Sequence, residues 1–247
     1  MNWTSRMRRN RNANRDLTRR QALAGAAATA STILAWRPAA QAAASTKVCI
    51  LTPEAAQGPF YFDPKLVRTE ITEGKPGAPL ALTLQVVEAE NCASLKAARV
   101  DVWHSDGLGV YSGYARQATG WTEGETFLRG TQLTDADGAV RFTTIYPGWY
   151  PGRTPHIHFK VILDDQDLVT GQLYFPDTVS ERIYATLSPY RERKAERDTF
   201  NANDFIFQKQ GGSETLVAVE QDGGSYRVRL VIGIAGDSRQ DTVQPKK

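Results

Sequence analysis

The chain has 247 residues, with 30 basic and 27 acidic side chains, three histidines and two cysteines. Its formal charge of +3 is unevenly placed: residues 1–42 hold eight arginines and one acid, so the other 22 basic and 26 acidic residues carry a net −4. The basic character belongs to the N-terminal segment, which removes the case for a nucleic-acid partner and leaves small molecules as the expected ligands.

In chain order, residues 1–42 read as an export signal. A basic region from Arg6 to Arg20 leads into Thr18-Arg19-Arg20-Gln21-Ala22-Leu23 and an apolar run from Ala22 to Trp36. This is the layout of a signal peptide. The adjacent arginines point to the twin-arginine route, and so to an exported protein, periplasmic or extracellular. Cleavage is expected after Ala42, in Ala40-Gln41-Ala42. The apolar run is shorter than the roughly 20 residues of a spanning helix, so no stable membrane span is expected after cleavage; an uncleaved anchor and a disordered basic tail are the alternatives.

Residues 43–236 are long enough for one domain with a substantial core, and 237–247 form a polar, frayed tail. Cys49 and Cys92 both fall in the exported part, where disulfides persist. An intrachain bridge between them is expected, with two free buried thiols as the alternative. Strand-like runs follow at 81–88, 98–103, 140–145, 156–163, 168–175, 216–220 and 226–232. Most are short, β-branched and separated by turn residues such as Asp135-Ala136-Asp137-Gly138 and Asp222-Gly223-Gly224. The pattern predicts an all-β fold, a single-domain antiparallel β-sandwich, with short helical pieces near 180–187 and 190–196. Asp135-Ala136-Asp137-Gly138 resembles the start of a calcium loop, but the twelfth position, where such a loop needs an acid, is Tyr146. A hairpin turn is the better reading.

The chemistry concentrates in Tyr150-Pro151-Gly152-Arg153-Thr154-Pro155-His156-Ile157-His158, together with Tyr111. Two histidines at i and i+2 on an extended segment share a face, roughly 6.5 to 7 Å apart, so their rings can converge on one ion. Ile157 and Phe159 take the opposite face. A phenol has a solution pKa of about 10, and it binds well only where a strongly Lewis-acidic cation removes its proton. Two phenols with two imidazoles therefore point to ferric iron. Taken alone, a His-X-His pair is more often two polar strand residues, and most of the nine tyrosines are packing residues; weight comes from two of only three histidines lying in this pair. His104, in Trp103-His104-Ser105-Asp106, reads as a hydrogen-bonded structural residue, with a further metal ligand as the alternative.

The order of these segments resembles the intradiol ring-cleavage dioxygenases of the protocatechuate and catechol dioxygenase type. Val100-Asp101-Val102-Trp103-His104-Ser105-Asp106-Gly107-Leu108-Gly109-Val110-Tyr111 resembles the stretch that brings in the family's first tyrosine ligand. Pro147-Gly148-Trp149-Tyr150-Pro151 resembles the segment with its second, displaceable tyrosine. Arg153, His156 and His158 match its active-site arginine and histidines, and Gly171-Gln172-Leu173-Tyr174-Phe175 is similar to the strand whose glutamine lines the substrate pocket. Cys49 to Glu54 with Gly58-Pro59-Phe60-Tyr61 is similar to the opening of an exported branch, and Asn201-Ala202-Asn203-Asp204 to its later part. Gln85 and Cys92 stand where the family often has glycine. The five residues between Tyr150 and His156 form a shorter connection than in the aromatic-acid enzymes, which implies a more open pocket.

The resemblance implies one non-haem Fe(III) per chain, held by Tyr111, Tyr150, His156 and His158, acting on a catechol-type substrate with O2. The ring is cleaved between its two hydroxylated carbons to a cis,cis-muconate-type diacid. Tyr150 takes a substrate proton as it leaves, Arg153 stabilises negative charge on the ring, and Gln172 orients Arg153 or the substrate. All four ligands lie in one chain, so a monomer or a homo-oligomer would serve. A cupin-like Fe(II) or zinc enzyme is a weaker reading, because it needs a later histidine and none follows His158. The non-enzymatic alternative is an exported β-sandwich binding module for aromatics or saccharides.

Overall fold

Leu80, Leu82, Leu84 and Val86 alternate with Ala81, Thr83 and Gln85 along the strand Pro79–Glu88 (β1), so one face is buried and the other meets solvent. The computed structural model describes residues 49–117 and 120–236; the export signal expected at 1–42 and the tail expected at 237–247 lie outside the described residues. The other strands are Arg99–Trp103 (β2), Arg129–Leu133 (β3), Ala139–Ile145 (β4), His156–Leu163 (β5), Gln166–Tyr174 (β6), Val219–Asp222 (β7) and Ser225–Ile234 (β8). They form two four-stranded sheets, ordered β4-β1-β8-β7 and β3-β2-β5-β6. Leu80, Leu82, Leu84, Phe142, Val228 and Ile232 of the first sheet pack with Val100, Val102, Ile157, Phe159 and Leu173 of the second in one core. Burying each such side chain contributes about 1.5–3 kcal/mol.

The fold is the expected β-sandwich, with departures that have physical causes. β1 pairs with β8 in parallel, Leu80 to Glu88 against Tyr226 to Ile234. These are the first and last strands among the described residues, and no local turn in the sequence announces their pairing. The expected strand at 216–220 lies at Val219–Asp222. β3, which was not foreseen, reads Arg-Gly-Thr-Gln-Leu and has no apolar alternation. It forms because Leu66 and Arg68 bond to Thr131 along its free edge. Asp135 to Gly138 is a turn, with Asp135 accepting from the amides of Asp137 and Ala139. It is not a hairpin, since it joins β3 in one sheet to β4 in the other.

Among the described residues, helix is confined to Asp177–Thr186 (α1), a single 3-10 turn at Tyr190–Glu192 and Phe205–Lys209 (α2). The helical piece expected at 190–196 shrinks to that turn, and α2 was not foreseen. Cys49 and Cys92 are bridged, with Cα atoms 5.4 Å apart, tying the leading segment to the turn after β1. Among the described residues no helix is long and apolar enough to cross a membrane.

Candidate active site

β5 runs antiparallel to both its neighbours, so its first residues meet the last residues of β2 and β6. Trp103, His158 and Gln172 fall in one row, and His156 lies opposite Tyr174. Ile157 and Phe159 point into the core, which leaves His156 and His158 on the other face, each about 2% exposed. Two loops lead to this point. Residues 104–111 leave the end of β2 carrying Tyr111, and 146–155 enter β5 carrying Tyr150.

These loops are locked to each other through their backbones. Asp106 accepts from the amides of Leu108 and Val110 at 2.9 and 3.0 Å, fixing the approach to Tyr111. Gly109 has φ +83°, and a Cβ there would lie 2.2 Å from the carbonyl oxygen of Trp149. Gly148 donates to the Asp106 carbonyl at 2.9 Å. Close backbone contact at Gly109 therefore sets the spacing of the two phenols.

The four donor atoms converge. His156 Nε2 lies 3.1 Å from His158 Nε2, 3.3 Å from Tyr111 Oη and 3.1 Å from Tyr150 Oη, and Tyr111 Oη lies 3.2 Å from His158 Nε2. His156 Nδ1 is 2.7 Å from the Thr154 carbonyl, which can only accept. Nδ1 therefore carries the proton, and Nε2 presents a lone pair. That one lone pair faces two phenols, an imidazole and Arg153 Nη1 at 3.4 Å. Hydrogen bonds alone cannot satisfy so crowded a junction, whereas one cation can. Bonds of about 2.1 Å to a common ion would separate adjacent donors by roughly 3.0–3.4 Å.

Protonation follows from burial. Desolvation holds both imidazoles well below their ordinary pKa, with the Arg153 charge acting in the same direction, so both are neutral. Burial raises the Tyr111 phenol well above 10. Tyr150 is also raised by burial, against the pull of Arg153. Among the described residues no group of three or more His, Cys, Asp or Glu is placed to hold a metal, so a metal at this point would need the phenols.

Arg153 reaches the junction because residues 150–153 turn back on themselves, with Arg153 N donating to the Tyr150 carbonyl at 3.2 Å. Its Nη1 lies 3.5 Å from Tyr150 Oη. Nη2 donates to Gln172 Oε1, and Nε donates to Asp204 at 2.9 Å. Gln172 is thereby committed to Arg153 and, through Nε2, to the Ala56 carbonyl at 2.6 Å. His104 stands apart: its nitrogens bond the Ser105 carbonyl and Thr144 Oγ1 at 2.8 and 2.7 Å, in keeping with the structural reading.

Several neighbours were not singled out from the sequence. Phe60 stacks on Tyr111, with centroids 4.4 Å apart. Trp103 stacks on His158 at 4.8 Å and 6°. Thr154, Tyr174 and Asp204 complete the surround. Phe60, Trp103, Tyr174 and Asp204 lie in segments that the resemblance covers, but no spacing rule ties them to the histidines.

A two-sheet sandwich with two phenols and two imidazoles converging at the end of one sheet defines a class of candidate metal-dependent enzymes, and comparison narrows it. Residues 56–186 match the family described as Dioxygenase. The intradiol ring-cleavage dioxygenase from Tetranychus urticae superposes with a TM-score of 0.70 at 32% identity, covering 76% of this chain and 95% of that one. The protocatechuate 3,4-dioxygenase beta chain of Burkholderia cepacia is 33% identical over 129 residues, 48% of this chain and 53% of the relative. A chlorocatechol 1,2-dioxygenase of Cupriavidus pinatubonensis is 26% identical over 158 residues, 54% of this chain and 58% of the relative. This chain belongs to the intradiol ring-cleavage dioxygenase family, although it spans little more than half the length of these two curated relatives.

Proposed function

We propose that the chain holds one Fe(III) between Tyr111, Tyr150, His156 and His158 and uses O2 to open a catechol-type ring between its two hydroxylated carbons, giving a cis,cis-muconate-type diacid. The observation that carries this reading is the junction at His156 Nε2, where four side chains present donors 3.1–3.3 Å apart with too few protons and lone pairs to satisfy one another. The names of the relatives, which specify protocatechuate and chlorocatechol, support a catechol-type substrate. Ferric iron, when bound, draws electron density from a chelated catecholate and makes its ring reactive toward O2. Burial holds the protons on Tyr111 and Tyr150, and both phenols would give them up only to a cation of such Lewis acidity.

The remaining work falls to the chain's own residues. Tyr111 is 1% exposed and packed under Phe60, which suits a permanent anchor. Tyr150 is only partly buried, so it is the phenol that can swing out and take a substrate proton. The guanidinium of Arg153 favours negative charge at Tyr150 and on a substrate oxygen beside it. Gln172 has its oxygen engaged by Arg153 and Tyr174, so its part is to orient Arg153. Phe60 and Trp103 cover Tyr111 and His158 and keep water from those sides.

The test is a visible spectrum with iron quantitation, repeated during anaerobic titration with catechols. One iron per chain and a phenolate-to-iron band that shifts on titration are expected. A colourless, iron-free protein that still binds aromatics would favour the binding-module alternative. Export by the twin-arginine route belongs to the same proposal. A mature protein beginning at Ala43 outside the cytoplasm supports it, and retention of the full chain inside overturns it.

A further inference from the structure

Behind the candidate site a closed ring of hydrogen bonds passes through Asp204 and Gln210, to which no role has been given. Asp204 is fully buried. Its Oδ2 accepts from Arg153 Nε at 2.9 Å and from the Thr154 amide at 2.8 Å, and its Oδ1 accepts from the Phe207 amide at 3.0 Å, capping α2. At the other end of α2, Gln210 Oε1 accepts from the Ala56 amide at 2.6 Å. The Ala56 carbonyl accepts from Gln172 Nε2, and Gln172 Oε1 accepts from Arg153 Nη2, which closes the ring at the guanidinium.

Both ends of this ring matter to the site. The segment latched at Ala56 continues to Gly58, whose Cβ position lies 3.6 Å from His158, and to Phe60 on Tyr111. The amide captured by Asp204 belongs to Thr154, whose carbonyl holds His156 Nδ1. A guanidinium presents its donors in a rigid planar fork. With Nε taken by Asp204 and Nη2 by Gln172, Nη1 is turned toward Tyr150 and His156. Among the described residues Asp204 is the carboxylate paired with Arg153, and removing one partner of a buried pair leaves the other without compensation.

We infer that Asp204 is a positioning residue: its buried carboxylate aims Arg153 at Tyr150 and, through the cap of α2 and Gln210, latches the 52–62 segment over the site. The inference rests on the role proposed above for Arg153. Asp204→Asn keeps one oxygen for the Phe207 amide and so the cap of α2, and replaces the oxygen that accepts from Arg153 Nε and the Thr154 amide with an uncharged NH2 donor. It should lower kcat about 10- to 100-fold while KM changes less than about threefold. Combined with Arg153→Ala it should cost less than the two separate losses added together. Gln210→Ala breaks only the latch and should move KM more than kcat.

A readout independent of turnover is the Arg153 Nε–H signal in spectra of 15N-arginine protein. It should exchange slowly in the wild type and rapidly in Asp204→Asn. Wild-type kcat in Asp204→Asn, additivity with Arg153→Ala, or no protection at Arg153 Nε in the wild type would each overturn the inference, the last without any variant. Protection that depends on Asp204 in a protein with no dioxygenase turnover would leave the positioning intact and remove the proposed function instead.

Discussion

The two sheets share one strand geometry and differ in what lies over their outer faces. Along β1 and β8 buried and exposed positions alternate, and Ala81, Arg227 and Arg229 stand in water. β2 and β5 are buried along almost their whole length, because the 58–68 segment lies across the second sheet. Tyr61 packs on Trp103 at 4.7 Å and donates to Asp101 at 2.8 Å, and Lys160 Nζ sits 4.9 Å from the Tyr61 ring centre. Polar groups on a covered face lose water and must find partners. Asp101 accepts from Tyr61, Arg99 and Thr131, and Lys160 pairs with Asp167. His156 and His158 find each other and two phenols. On the open sheet the same His-X-His would be two solvated side chains; the cover turns it into a site.

That contrast breaks most visibly if the covered donors do not act as a set. Tyr111→Phe and His158→Ala should each abolish the phenolate-to-iron band and reduce turnover to background; full colour in either variant dissolves the proposed ligand group. Next in size, Arg153→Ala should keep the band and lower kcat by about 10²–10³, roughly 3–4 kcal/mol. Turnover at the wild-type rate would remove its role.

On the open sheet the expected damage is to stability alone. Leu82 is 1% exposed, and Leu82→Ala should cost about 2–5 kcal/mol in denaturant unfolding with the band of the folded protein unchanged. A lost band would mean that the two sheets are not separable in this way. The smallest effect concerns His104, whose ring burial lowers to a pKa of about 4 from 6.5. Between those values the unfolded chain binds the extra proton. Stability from this residue is therefore present above pH 6.5 and falls as pH drops toward 4, by up to about 1.4 kcal/mol per pH unit. His104→Asn should flatten the pH dependence of unfolding of the iron-free protein by that amount; an unaltered slope would contradict the buried neutral state.

What could be read locally was what repeats or clusters within a few residues. The period-two apolar pattern marks β1, β5 and β8, and the bounds of β5 coincide with the expected 156–163. The ligand types and spacing of Tyr150, Arg153, His156 and His158 single out one stretch of chain. β3 escaped because Arg129 to Leu133 has no pattern of its own and takes strand form from the segment beside it.

By itself, then, the sequence determined the residue types, the faces they occupy on their strands and the family they belong to, because side-chain alternation and short spacings are properties of the local backbone. Only the tertiary structure decided that Tyr111 meets His158 across 47 residues and that Arg153 meets Asp204 across 51. It also paired β1 with β8 in parallel and laid Phe60 over Tyr111. Those contacts depend on how loops of unequal length close over a core, and short-range pattern carries no term for that closure.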